Sequence, residues 1–199
     1  LLHGMNASST MWYPNIASLA KTHRVYAIDC FLEPGKSEYL GTFYGIKEVV
    51  DWYFDVFDGL NLKKFTLVGA SRGGWLSVNI AAKAPERINK LILLSPAQTF
   101  GVLKPSLEIF TDINYFVNPK REKLRDFLET MSSNVDTMDQ IFINQFYLAT
   151  RKAAIDPDLL KMQPFSVWQL RKLKMPMLVL IGDNDIFNGP LNLHRAEQL

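Results

Sequence analysis

One serine in this sequence stands where its hydroxyl could act as a nucleophile. The segment 69–74 reads Gly-Ala-Ser-Arg-Gly-Gly and matches the G-x-S-x-G pattern of a nucleophile elbow, with Ser71 at its centre. An apolar run at 65–68 precedes it, and an apolar-rich stretch at 75–83 follows it. This order predicts a strand, a sharp turn and a helix, which is the setting that an elbow requires.

Glycine at positions 69 and 73 has a physical reason in such a turn. The serine at the apex sits in strained backbone, and a side chain on Gly69 or Gly73 would collide with the neighbouring strand or helix. The alternative interpretation is a plain glycine-rich turn between a strand and a helix. The flanking pattern favours the nucleophile, because a chance match to the motif seldom comes with both flanking elements.

A serine that attacks a carbonyl needs N–H donors for the oxyanion that forms. The N–H of Arg72, the residue after Ser71, is the first candidate, since it opens the following helix. The second is expected in the loop after an adjacent strand. His3 and Gly4 turn out of the apolar pair that begins the chain, and we predict that Met5 donates from that loop.

A serine nucleophile also needs a base and a carboxylate that orients it. Asp183 and Asp185 both follow the apolar run 177–181 and compete for the role of the acid. Loops rich in Asp and Asn are also ordinary turns, and Asp183, directly after Gly182, is the one expected to serve the turn.

The elements that must position these residues alternate along the chain. Apolar runs at 25–28, 65–68, 91–94 and 177–181 are separated by stretches with helical spacing. This pattern predicts an α/β fold, a mostly parallel sheet with helices on both faces. The candidate residues follow strands, so they should meet at the carboxyl edge of the sheet.

The middle of the chain has a different pattern. Amphipathic stretches without strand-like runs fill 101–163 and predict a helical insertion. We therefore divide the chain into a first core part at 1–100, the insertion at 101–163, and a second, incomplete core part at 164–199.

Composition excludes several classes of function. The 199 residues are 48% hydrophobic and carry a net charge of +2, which gives no reason to expect a nucleic-acid or membrane partner. The single cysteine, Cys30, suits a reducing compartment, so a cytoplasmic location is expected. No Cys or His spacing suggests a metal site, and no cofactor is expected. The chain begins at Leu1 without an initiator methionine, which predicts a cut end.

Five segments carry a resemblance to a known family: Leu-Leu-His-Gly at 1–4, Val-Tyr-Ala-Ile-Asp at 25–29, the elbow at 69–74, Pro-Glu-Arg-Ile at 85–88, and Met-Pro-Met-Leu-Val-Leu-Ile-Gly-Asp-Asn-Asp at 175–185. Through them the chain resembles the α/β-hydrolase fold superfamily over nearly its whole length. Within it, the segment 8–17 is similar to bacterial carboxylesterases of the naproxen-esterase type.

The resemblance implies roles for particular residues. The superfamily's G-x-x-D pattern carries the acid role onto Asp185, and 101–163 becomes a helical cap that lines the acyl pocket. The cap aromatics that would suit an apolar ester are Phe110, Tyr115, Phe116, Phe142, Phe146 and Tyr147.

This sequence departs from the family's pattern at the catalytic histidine. The family places it after one further strand, beyond the helix that begins near 190, and we expect it outside these 199 residues. His194 is nine residues past Asp185 and inside that helix, so it is not expected to be the base. The first strands of the family are also missing from this sequence, so we expect the chain to be truncated at both ends.

These inferences predict a serine hydrolase that cleaves carboxylic esters of small apolar molecules through an acyl-enzyme. Two alternatives stay open at this point. One is another serine hydrolase of the same fold, such as a lipase, an amidase or a perhydrolase. The other is a non-catalytic member that binds a small molecule.

Overall fold

Three parallel strands form the centre of the fold in the computed structural model, which describes residues 1–42, 45–153 and 161–198. They are β1 (Phe65–Ala70), β2 (Ile88–Leu94) and β3 (Met177–Leu180), paired in the order β1-β2-β3. Leu2 extends this pattern on the β1 side through isolated parallel bridges to Gly69 and to Ile28. The carboxyl ends of these segments therefore lie along one edge.

Eight α-helices and three short 3₁₀ helices are described around these strands. The α-helices are α1 (Tyr13–Leu19), α2 (Ile46–Gly59), α3 (Arg72–Lys83), α4 (Leu107–Val117), α5 (Arg121–Met131), α6 (Gln140–Lys152), α7 (Val167–Leu170) and α8 (Pro190–Glu197). The 3₁₀ helices are Ser9–Trp12, Pro85–Arg87 and Val135–Thr137. None of the described helices is both long enough and apolar enough to cross a bilayer.

The main hydrophobic core lies where α2 and α3 cover the sheet. Helix α2 contributes its buried stripe of Val49, Val50, Tyr53 and Phe57, which recurs at helical spacing. Helix α3 is buried around most of its circumference. These side chains pack with the buried leucines of β1 and β2 into one cluster, which holds the elbow between rigid elements.

The helices between 107 and 152 have a hydrophobic cluster of their own. Its fully buried members are Tyr115, Leu124, Phe127, Leu128 and Val135. The three amphipathic stretches predicted in this region are confirmed as α4, α5 and α6. The division of the chain into a core and a cap stays a prediction.

Several predicted boundaries differ from the structure. A 3₁₀ turn at Ser9–Trp12 leads into α1, which becomes α-helical only at Tyr13. Helix α7 begins at Val167, because Ser166 forms a capping box with Gln169. The run 25–28 pairs only through Ile28. The last helix ends at Glu197, and Leu199 lies outside the described residues.

One buried carboxyl in α4 should make the stability of the protein depend on pH. Asp112 is 3% exposed. Its Oδ1 bonds to the Thr130 hydroxyl at 2.7 Å, and its Oδ2 has no hydrogen-bond partner among the described residues. Burial raises the pKa of Asp112 from 3.8 to about 6, and the Thr130 hydroxyl opposes that rise.

We expect Asp112→Asn to remove this pH dependence. Because the folded-state pKa is raised, the protonated carboxyl favours folding below pH 3.8, and that contribution is lost as the pH rises through about 6. The free energy of unfolding of the wild type should therefore fall relative to the variant by on the order of 2 kcal/mol. Urea unfolding of both proteins at pH 4 and pH 7 measures it. An equal difference between the two proteins at both pH values would contradict the assignment.

Candidate active site

Ser71 occupies the junction between β1 and α3 with an unusual backbone. Its φ is 52° and its ψ is −120°, a left-handed φ that costs a non-glycine residue conformational energy. Its N–H donates to Leu94 O at 2.8 Å, and its C=O accepts from Gly74 at 2.9 Å and from Ala97 at 3.2 Å. The surrounding structure thus holds the strained residue from both sides.

The two flanking glycines are required by close backbone contacts. A Cβ placed on Gly69 would lie 2.2 Å from the carbonyl oxygen of Gly73, and a Cβ on Gly73 would lie 2.4 Å from Leu2 O and 2.5 Å from His3 O. Distances this short are impossible for carbon and oxygen without backbone movement. The predicted reason for both glycines is confirmed.

The loop after Leu2 lies directly beside the serine. A Cβ built on Gly4 would be 3.5 Å from Ser71 Cβ and 4.0 Å from Ser71 Oγ. Arg72 is the first residue of α3, so its N–H has no acceptor within the helix. Gly4 donates to Met11 Sδ at 3.4 Å, whereas none of the hydrogen bonds described for this chain uses the N–H of Met5.

The His3 side chain fixes the orientation of this loop through two hydrogen bonds. Its Nε2 accepts from the Cys30 N–H at 3.0 Å, so the proton of the neutral ring is on Nδ1, which donates to Gly4 O at 2.8 Å. The C=O of Gly4 and the N–H of Met5 belong to one planar trans peptide and point in opposite directions. Because His3 binds Gly4 O, the Met5 N–H points away from His3.

His3 itself is built into the fold rather than free to move protons. It is 4% exposed, and burial lowers its pKa below the ordinary value. Both ring nitrogens are used in hydrogen bonds, Nδ1 to Gly4 O in the loop and Nε2 to the Cys30 N–H outside it. These contacts make His3 part of the framework of the loop, and its supporting role in the site stays a prediction.

Asp29 ties the same loop to the segment that follows Ile28. Its Oδ1 accepts from Ser9 at 2.6 Å and its Oδ2 from Lys36 at 2.9 Å. Partial burial pushes the pKa of Asp29 upward, but these amide donors outweigh it, and the pKa lies below its ordinary value. Asp29 therefore remains a carboxylate that anchors the loop.

Asp185 is held by donors at the end of β3. Its Oδ1 accepts from the Phe187 N–H at 2.8 Å and the Asn188 N–H at 3.0 Å. Its Oδ2 accepts from the Ser95 hydroxyl and, at 3.4 Å, from the Asn188 side chain. Ser95 directly follows β2, so this carboxylate lies at the same sheet edge as Ser71.

Asp183 has a different environment, since its side chain is exposed at the surface. Asp185, by contrast, is partly buried and carries the contacts that fix a carboxylate in one orientation. Among the two competing acids the geometry therefore favours Asp185, as the resemblance implied.

The structure brings no histidine into contact with Ser71 among the described residues. His194 lies on α8 with its side chain 66% exposed and interacts with Glu197 and Gln198 on the same helix. His23 is also exposed and bonds to the Thr22 hydroxyl at 2.7 Å. In the part of the chain that the structure describes, no group of three or more His, Cys, Asp or Glu side chains is arranged to hold a metal ion.

A pocket lies between the Ser9–Trp12 segment and α6. Its cavity volume is about 10 Å³, on the order of one water molecule, and it opens partly to solvent. Its lining residues are Ala7, Ser8, Thr10, Met11, Phe142, Gln145, Phe146 and Ala149. Met11 is the residue whose sulfur accepts from Gly4, so the pocket adjoins the loop beside Ser71.

Two of the six aromatics expected to line an acyl pocket, Phe142 and Phe146, do line this one. Tyr115 is instead 1% exposed in the second core, and Phe110 is 63% exposed to solvent. Helical spacing alone does not separate a side chain that faces a pocket from one that faces a core or water.

Comparison with known proteins identifies the family to which the chain belongs. A family model described as the alpha/beta hydrolase fold matches residues 1–136. The chain belongs to the α/β-hydrolase fold family. It is 31% identical over 205 residues to the uncharacterized carboxylesterase nap of Bacillus subtilis, and 39% identical over 107 residues to the carboxylesterase YbfK of the same organism.

Solved α/β hydrolases agree with this assignment. The naproxen esterase (carboxylesterase NP) from Bacillus subtilis superposes with a TM-score of 0.87 at 30% identity, over 99% of this chain and 70% of that one. The predicted fold class and the predicted family are confirmed. The present chain spans 66% of the length of nap and 36% of that of YbfK.

Sequence reasoning missed one charged residue near the α/β-hydrolase elbow. Glu33 lies in the loop after Ile28, is buried, and contacts both Arg72 and the loop that bears Met5. Its only sequence signal is a carboxylate just before Pro34 and Gly35, and surface turns share that pattern.

Proposed function

We propose that this chain belongs to a serine hydrolase that cleaves carboxylic esters of small apolar molecules. The observation that carries the proposal is the placement of Ser71 at a strained elbow with Gly4 of the neighbouring loop beside its hydroxyl. The relatives named carboxylesterase support the reaction class.

In the proposed reaction Ser71 Oγ attacks the ester carbonyl carbon and forms a tetrahedral intermediate. The N–H groups of Arg72 and Met5 would bind the resulting oxyanion, with the N-terminus of α3 adding favourable electrostatics. Departure of the alcohol leaves an acyl-enzyme on Ser71, and attack by water releases the acid. The general base takes the Ser71 proton and passes it to the departing alcohol, and a proton from the attacking water returns to Ser71 by the same route.

The proposed general base is a histidine outside these 199 residues. His3 has both nitrogens committed to the loop, whereas His194 and His23 are exposed and bonded to neighbours along the chain. Asp185 would orient that histidine and stabilise its charged form. The donors on Asp185 support this role, because they hold the carboxylate in one orientation.

The substrate side of the proposal rests on the pocket beside Met11. Most of its lining is apolar, and Gln145 Oε1 is a buried acceptor there without a hydrogen-bond partner among the described residues. The apolar lining suits an acyl group in its chemistry, but the cavity holds only about one water molecule, so we propose that the pocket widens when substrate binds. We assign the segment 101–163 as the cap that covers the substrate. A cytoplasmic location stays part of this proposal.

A fluorophosphonate probe tests the function directly. We expect it to label the complete protein at one serine, Ser71, because only a serine beside a general base and oxyanion donors is reactive near neutral pH. Mass spectrometry of the labelled peptide identifies the site. Ser18→Ala, a change at an exposed serine on α1, is the control and should leave labelling unaltered. Absence of labelling in the folded, complete protein would remove the hydrolase proposal.

A further inference from the structure

A buried ion pair lies behind the elbow. Glu33 and Arg72 have side chains only 2% and 3% exposed, and Glu33 Oε1 pairs with Arg72 Nη1. The second carboxylate oxygen, Oε2, accepts from the Asn6 N–H at 2.7 Å. One carboxylate therefore holds the residue after Ser71 and the residue after Met5 at the same time.

Stability alone is a weak reason for such a pair. Removing two charges from water costs free energy that offsets most of their mutual attraction, so an apolar pair of similar size would serve a core equally well. Burial raises the pKa of Glu33 above its ordinary value, while the Arg72 guanidinium and the Asn6 amide oppose that rise. What the pair does supply is directed geometry, because charge-assisted hydrogen bonds are short and orientation-dependent.

Two different residues hold the peptide groups on the two sides of Met5. The Gly4–Met5 peptide is fixed by His3, which donates to Gly4 O. The Met5–Asn6 peptide is fixed by Glu33, which accepts from Asn6 N. Asn6 itself has a left-handed φ of 54° and is 4% exposed, so the loop needs a partner at that amide to keep this conformation.

The other end of the same carboxylate reaches α3. The Arg72 side chain extends from the first residue of that helix, whose backbone N–H is the other candidate oxyanion donor. Arg72 Nε is buried without a hydrogen-bond partner among the described residues. Glu33 is therefore the principal charged contact that holds this guanidinium.

We propose that Glu33 is a positioning residue that sets the distance and direction between the two oxyanion donors by binding both Asn6 N and the Arg72 side chain. The inference rests on the hydrolase function proposed above. It assigns to Glu33 a part in stabilising the transition state that acts through the Met5 and Arg72 backbones, without contact to substrate.

The test compares Glu33→Gln with wild type in the complete protein. Glutamine keeps the shape and an acceptor for Asn6, but it removes the charge that binds Arg72. We expect kcat for a p-nitrophenyl ester to fall by roughly 10- to 100-fold with KM changed less than about 3-fold, since an oxyanion forms only after binding. Glu86→Gln, the same change at an exposed glutamate of the Pro85–Arg87 turn, is the matched control.

A second readout separates positioning from folding. A trifluoromethyl ketone forms a tetrahedral oxyanion adduct with a reactive serine, so its inhibition constant should rise in Glu33→Gln by a factor similar to the fall in kcat. A residue that only stabilised the fold would lower the unfolding midpoint and leave this constant unchanged in the folded protein. Folded Glu33→Gln with wild-type kcat and inhibitor affinity would overturn the proposal.

Two further measurements keep the outcome decisive. If Glu33→Gln fails to fold, the double variant Glu33→Gln/Arg72→Met removes the unpaired buried charge, and it should fold yet keep a kcat at least about 10-fold below wild type.

Amide hydrogen exchange is a measurement that does not depend on activity. A neutral glutamine is a weaker acceptor for the Asn6 N–H than the carboxylate, so exchange over residues 4–9 should be faster in the variant. Faster exchange supports the tether even if wild type is inactive and the hydrolase proposal has failed, and unchanged exchange overturns it.

Discussion

Replacing Ser71 with alanine is expected to lower ester hydrolysis by at least ~10³-fold while leaving the fold intact. The substitution removes one oxygen atom, and with it the nucleophile that would form the acyl-enzyme. The residue's backbone bonds to Leu94, Gly74 and Ala97 do not involve the side chain. The hydrolysis that survives should reflect the oxyanion donors and substrate binding alone.

The measurement is initial-rate hydrolysis of a p-nitrophenyl ester by the complete protein, with circular dichroism and the melting temperature as checks on folding. Ser18→Ala controls for loss of a serine hydroxyl at an exposed position on α1. If Ser71→Ala turned the ester over at the wild-type rate, Ser71 would not be the nucleophile, and the mechanism proposed above would have to be abandoned.

Local pattern predicted most of the scaffold that surrounds this serine. The run at 65–68 became β1 and the stretch at 75–83 became α3, because apolar spacing and the two glycines leave few other arrangements. Helix α2 obeys the same rule, since its buried residues recur at helical spacing. The run at 25–28 was harder, since an apolar segment pairs along only as much of its length as its neighbour offers, and here that neighbour is Leu2.

The contacts that orient the site were beyond reach of the sequence. Glu33 and Arg72 are 39 positions apart, and Ser95 and Asp185 are 90 apart. The spacing of residues within a helix or strand does not predict such pairs. Each polar side chain is matched to a partner that only the folded chain brings close. The aromatic residues of α4 and α6 illustrate the same limit, since Tyr115 packs in a core and Phe142 lines a pocket although both lie on amphipathic helices.

Asp185→Asn should reduce kcat by roughly 10²- to 10⁴-fold, with folding preserved. The amide oxygen of asparagine can still accept from the Phe187 and Asn188 N–H groups that hold the native carboxylate. What is lost is the negative charge that would select the tautomer of the proposed histidine and stabilise its protonated form. The fall should appear in kcat with a much smaller change in KM, because the charge matters most when the histidine has taken the proton.

Asp183→Asn is the matched control two residues away, made on the same loop with the same change of atoms. Its side chain is exposed, so we expect a far smaller loss of activity, and at most a small loss of stability through the turn. Steady-state kinetics of the two variants in the complete protein gives the ranking. The opposite order would move the acid to Asp183, and the donors gathered around Asp185 would then be features of the turn alone.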